Sequence, residues 1–169
     1  MKNPAKNSKD KLNLGCGADI RKGFVNIDFE KFEGVNIVYD LNKFPYPFKD
    51  NQFKEIIMRN ILEHLDNPYN AMKEIRRIAQ AGAIVRIRTP HFSSNNVWGD
   101  IQHKRGFSWQ TFHNNNMAGM FRVLKQKITF SHFKFFMRPF AGLFPNFYEK
   151  HLAYIFTAVD LLVELRVIK

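Results

Sequence analysis

The stretch KLNLGCGADIRKGFVNID, residues 11–28, constrains this chain more than any other. A short apolar strand stops at Gly15, a turn containing Gly17 follows, and a second alternating segment ends on Asp28. A sheet that opens this way carries its ligand beyond the carboxyl ends of its strands. The connection is unusually short. Asp28 follows Gly17 by 11 positions and the strand FVNID takes five of them, which leaves room for about one helical turn. The third glycine of GxGxxG is replaced by Ile20, and no phosphate loop of the GxxxxGKS type occurs. A pyrophosphate needs backbone N–H groups at a helix N-terminus. The short crossover therefore weakens dinucleotide and ATP readings together, and favours a cofactor without phosphates.

The strand and helix signals alternate through the first half. GVNIVYD (34–40), FKEIIMRN (53–60) and GAIVRIRTP (82–90) read as further strands. Between the last two lies the clearest helix. Asn67 caps it, Pro68 suits its first turn, and Ala71, Met72, Ile75, Ile78 and Ala79 recur at helical spacing before Gly82 as a stop. Such alternation predicts an α/β fold with a mostly parallel sheet. In the second half, SWQTFHNNN reads as a short helix capped by Ser108, and FRVLKQKITF and VELRVIK as strands. No repeat or low-complexity linker divides the 169 residues, so a single domain is expected over 11–169, with residues 1–10 as a disordered lead-in.

S-adenosylmethionine meets the requirement for a cofactor without phosphates. Glycines let the backbone approach its methionine part. A carboxylate such as Asp28 supplies an acceptor pair for ribose hydroxyls, and Asp40 a polar contact for the adenine amino group. Here the sequence resembles a known family. LNLGCG (12–17), NID (26–28), YDLNKFPYPFKDNQFKEI (39–56), RNILEHL (59–65) and NAMKEIRRIAQAGAIVRIRTP (70–90) stand in the order found in class I S-adenosylmethionine-dependent methyltransferases of the methyltransferase 11 type. The resemblance covers roughly the first 90 residues. The remainder is similar to a bacterial and archaeal subgroup of these enzymes.

The resemblance implies a Rossmann-like sheet of seven strands with the last antiparallel. It implies that Leu14, Gly15 and Gly17 line the methionine moiety, that Asp28 holds the ribose, that Asp40 and Leu41 flank the adenine, and that Asn60 lies beside the sulfonium. Members often carry an acid where this chain has Asn13.

Methyl transfer is an in-line displacement, so alignment is the main task of such an enzyme. A hydroxyl or amine acceptor must also lose a proton. The segment after the fifth strand holds the candidates His91, Asp100 and His103. His103 can take the proton while Asp100, three positions away on one turn, orients it. Glu63 and His64 are expected to brace the sheet. Without a compact motif such as HExxH, no metal is expected.

The formal net charge is +11, and from Ile101 to Tyr148 there is no Asp or Glu. Such a basic half favours an anionic partner. The stretch from Phe130 to Phe156 mixes aromatics with Lys and Arg. It reads as a substrate cover or membrane-interface surface, or as a second-half core. A small-molecule or glycan-type acceptor, anionic or lipid-linked, is the first expectation. An RNA methyltransferase is an alternative, though RNIL is no NPPY-like tetrad. A catalytically silent scaffold domain is the other. A homodimer is compatible with the aromatic content. The single cysteine excludes a disulfide framework and points to a reducing, cytoplasmic compartment.

Overall fold

The computed structural model describes residues 10–169, so all but Asp10 of the expected lead-in over 1–10 lies outside the described residues. Seven strands form one sheet: β1 Lys11–Leu14, β2 Val25–Asp28, β3 Ile37–Val38, β4 Phe53–Arg59, β5 Ala79–Pro90, β6 Phe121–Ile128 and β7 Asp160–Val167. Their order is β3-β2-β1-β4-β5-β7-β6. The first five pair in parallel, and β7 runs antiparallel to both β5 and β6. This is the expected α/β sheet with an antiparallel last strand.

Helix α1, Pro68–Ile78, is the longest among the described residues. The Asn67 side chain accepts from the Asn70 N–H, and Ala71, Met72, Ile75 and Ile78 form its buried face. The helix ends earlier than Gly82. Ala79 is already extended and begins β5, while Gly82, at φ +77°, sits where β5 slips register against β4 between Phe53 and Glu55. Gly82 serves a strand irregularity that requires positive φ, not a helix stop.

One face of the sheet is apolar and buried. Leu12, Ile56, Val85 and Leu165 stand in one row across β1, β4, β5 and β7, and Leu14, Met58, Ile87 and Val163 in the next; all are buried. On the other face Asn13, Asn26 and Ile57 are buried too, and other positions carry charge. Lys11 bonds Glu55 at 2.9 Å, Glu55 also meets Arg86, and Arg86 bonds Glu164 at 3.1 Å. Alternation of this kind is ordinary for antiparallel sheets; parallel strands usually read as continuous apolar runs because helices cover both faces. Here a ladder of ion pairs occupies part of the second face, on β4, β5 and β7. No helix of the described residues is long and apolar enough to cross a membrane.

Arg77 staples α1 to the loop before β4. Its guanidinium donates to both Glu74 carboxylate oxygens at 2.8 and 2.7 Å, to the Tyr46 and Phe48 carbonyls, and to Asp50. The hydrogen bond from Arg77 holds the Glu74 carboxyl below its usual value of 4.5. A depressed pKa gives stability that is present above the unfolded value and lost as pH falls through the folded one. Glu74→Gln is therefore expected to cost about 2 kcal/mol at neutral pH, and the cost should shrink in acid. Urea titrations between neutral pH and pH 3 check this; a cost independent of pH would contradict it.

Candidate active site

The carboxyl ends of the first four strands meet at one edge. Leu14 pairs with Ile27 on β2 and with Met58 on β4, and Asp28 pairs with Val38 on β3. Gly15–Gly17, Asp28, Asp40 and Asn60 each follow or end one of these strands and so collect along that edge. Gly15 and Gly17 have φ of +62° and +45°. A Cβ on Gly15 would lie 2.6 Å from the Ile61 side chain, so glycine is required there by contact as well as conformation. A Cβ on Gly17 would meet nothing within 4 Å, which leaves open space beside the turn.

Asp28 is buried, and its Oδ2 accepts from the Gly17 N–H at 2.6 Å while Oδ1 accepts from the Glu30 N–H at 3.3 Å. The carboxylate thereby fixes the glycine turn. Asp40 makes an Asx turn, its Oδ1 accepting from the Asn42 N–H at 3.0 Å. Leu41 is buried, packing into the core. Asn60 adopts φ +52°, a conformation asparagine tolerates, and its N–H bonds the Arg88 carbonyl. Leu14 is fully buried, so its backbone is what the edge presents.

Between β1 and β2 the described chain forms no helix. Two buried amides hold the crossover instead. The Asn13 side chain donates to the Asp19 carbonyl at 2.7 Å and to Asn26 Oδ1 at 3.0 Å. Asn26 in turn accepts from the Arg21 N–H and donates to the Arg21 carbonyl. Asn13 thus spends both donors inside the fold.

The segments after β4 and β5 form the other wall. Glu63 is fully buried, and its Oε2 accepts from the Thr89 hydroxyl at 3.0 Å; Oε1 has no partner among the described residues. Burial pushes the Glu63 carboxyl above its usual range. Burial and then the neighbouring His103 hold His64 below its ordinary value. The rings of His64 and His103 lie 4.6 Å apart, edge to face. Helix α2, Asn95–Gly99, starts after β5 under a Ser94 cap, and its Asn96 carbonyl lies 2.7 Å from His103 Nδ1. A carbonyl can only accept, so Nδ1 carries the proton and Nε2 keeps its lone pair. Asp100 Oδ2 is 3.7 Å from that Nε2.

His91 is placed differently. It is fully buried, with Nδ1 2.9 Å from the Ser93 hydroxyl and Nε2 3.0 Å from Glu149 Oε1. Glu149 also accepts from the Trp109 N–H. Both ring nitrogens are engaged, so His91 ties the segment after β5 to the insert between β6 and β7.

Residues 8–87 match the family model described as a methyltransferase domain. This stretch, just under half of the chain, is similar to a class I, S-adenosylmethionine-dependent methyltransferase domain. Solved structures share the fold well beyond the matched span. A SAM-dependent methyltransferase from Archaeoglobus fulgidus is 16% identical with a TM-score of 0.69, covering 92% of this chain and 85% of that one. A SAM-dependent methyltransferase from Mesorhizobium loti is 13% identical with a TM-score of 0.62, covering 92% and 89%. The N-methyltransferase NodS from Bradyrhizobium japonicum, solved with S-adenosyl-L-homocysteine, is 12% identical with a TM-score of 0.60, covering 94% and 78%. No curated protein matches the chain in sequence.

The residues present suit S-adenosylmethionine as cofactor. The open space at Gly17 admits a ligand against the backbone, and the edge offers two carboxylates and no cradle of helical N–H groups for a pyrophosphate. The fold brings Asp100 and His103 together and engages His91 with Ser93 and Glu149 instead. It also joins Glu63 and His64 to His103, a grouping that the expectation of bracing roles missed. The adjacent Glu-His pair after an apolar strand was the available signal.

Proposed function

We propose that the chain is an S-adenosylmethionine-dependent methyltransferase that acts on a hydroxyl of a glycan-type acceptor that bears negative charge and is presented by a lipid at a membrane surface. The observation that carries this reading is the insert between β6 and β7. Because β6 runs parallel to β5, the insert leaves the sheet at the same edge as the cofactor turn. Phe130, Met137, Ala141 and Tyr148 anchor it in the core. Phe133, Leu143 and Tyr154 are 89%, 75% and 80% exposed, with Phe136, Phe144 and Ile155 also outside. Lys134, Arg138 and Lys150 lie among them, and the sole acid between Ser131 and Phe156, Glu149, is turned inward onto His91. An apolar, cationic surface without exposed acids suits an anionic bilayer.

In this reading Asp28 accepts from the ribose hydroxyls, Asp40 and Leu41 flank the adenine, and Asn60 borders the reacting end. The backbone of Leu14, Gly15 and Gly17 admits the methionine part. When bound, S-adenosylmethionine supplies an electrophilic methyl group. His103 Nε2 accepts the acceptor's hydroxyl proton, Asp100 stabilises the charged ring, and His91 holds the insert against the wall. Sedimentation with vesicles tests the acceptor class. Phosphatidylglycerol vesicles should carry the protein down and phosphatidylcholine vesicles should not, and Phe133→Ser with Phe144→Ser should weaken binding at least tenfold. Equal binding to both vesicles, or none to either alongside steeply salt-dependent binding of single-stranded RNA, would overturn this reading.

A further inference from the structure

We propose that Glu63, His64 and His103 form a site for one borderline divalent cation such as zinc. A carboxylate oxygen and two imidazole nitrogens lie within 4.8 Å of one another. Two imidazoles and one carboxylate are a three-ligand set that leaves a coordination position open, as catalytic zinc sites do. A tetrahedral ion with bonds near 2.1 Å would draw the donor atoms to roughly 3.4 Å. Small rotations of His64 and His103, both only partly buried, supply that contraction.

Two of the three ligands are held from behind. Glu63 Oε2 takes the Thr89 hydroxyl, and His103 Nδ1 donates to the Asn96 carbonyl. Ligating histidines are characteristically oriented this way, with the second nitrogen on a carbonyl or carboxylate. The atom left over is Glu63 Oε1, fully buried and without a partner among the described residues. An unpaired buried acceptor is costly, and a cation is the partner this cluster can share. The charge balance agrees: Asp100 adds a second carboxylate beside His103, and the nearby Lys104 ammonium is paired with Asp66.

The site needs no assumption about the acceptor; its role rests on the proposed hydroxyl methylation. The open position takes the acceptor oxygen, and the cation lowers the pKa of that hydroxyl. With the cation bound, His103 Nε2 is a ligand and no longer the base that it is in the metal-free site. The O–H proton then passes to the Asp100 carboxylate and the electron pair stays on oxygen.

The full chain, freed of metal by chelation, should bind one equivalent of Zn²⁺ by calorimetry and develop visible absorption with one equivalent of Co²⁺. Zn²⁺ should also raise its melting temperature. His103→Ala and His64→Ala should each weaken binding by roughly 100-fold or more, since even outer-shell partners are worth about 10- to 100-fold. His113→Ala should leave it unchanged, and Glu63→Gln should behave like the histidine variants if it folds. Absence of saturable binding, or binding retained in both His64→Ala and His103→Ala, would overturn the site. The same samples titrated with S-adenosylhomocysteine separate the two readings. Homocysteine-ligand binding without metal binding removes the cation site alone, whereas metal binding without it removes the methyltransferase mechanism.

Discussion

Asp28→Ala should lower the affinity for S-adenosylhomocysteine by about 100-fold or more. The carboxylate has two tasks at the edge of the sheet. It offers oxygens to the ribose hydroxyls, and it accepts from the Gly17 N–H at 2.6 Å, fixing the turn the ligand lies against. A hydrogen bond to a charged group contributes about 1.5–3 kcal/mol. Losing two of them gives about 3–6 kcal/mol, and each 1.4 kcal/mol is a factor of ten. Asp28→Asn separates the tasks. Its amide oxygen can still accept from Gly17, so the turn survives while the charge is lost, and a loss of roughly tenfold is expected. Calorimetry reads both variants. Affinity within threefold of the unaltered chain for Asp28→Ala would sink the ribose assignment.

In protein freed of metal, His103→Ala should reduce turnover by about 10²- to 10⁴-fold, the usual range for a lost general base, and leave S-adenosylhomocysteine affinity intact. The ring belongs to the segment after β5, away from the glycine turn, and its Nε2 is the lone pair not committed to the backbone. Asp100→Asn should cost less, because at 3.7 Å the carboxylate supports the charged ring without a direct hydrogen bond. Transfer of a labelled methyl group into the lipid-extractable fraction of membranes reads both. Unchanged transfer by His103→Ala would remove it from the mechanism. His91→Ala is the contrast: opening a fully buried, doubly bonded position should lower the melting temperature first.

The strand ends could be read because each strand stops on a residue that breaks it, Gly15, Asp28, Asp40 and Asn60. The crowded spacing from Gly17 to Asp28 likewise announced that no crossover helix fits. What holds the crossover in its place was not legible, since the Asn13–Asn26 pair depends on β1 and β2 lying side by side. The charged half of the second face was written in the sequence. Arg86-Ile87-Arg88 and Glu164-Leu165-Arg166 alternate charge with apolar residues, and that period of two puts the charges of β5 and β7 on one side. His91 looked like a candidate base because its partner, Glu149, is 58 positions away and reaches it only through the insert. The same long range hides the association of Glu63 and His64 with His103. The aromatic stretch proved to be two things at once, since a short insert of helical turns must bury one side and expose the other.

The central claim is that this abbreviated edge still binds its cofactor. Calorimetric titration of the unaltered chain with S-adenosylmethionine and S-adenosylhomocysteine, with NADH as the control, tests it most directly. The account predicts micromolar, one-to-one binding of the first two and none of NADH. Absence of binding by either, in a protein that melts cooperatively, would contradict it and leave a scaffold that keeps the fold without the chemistry.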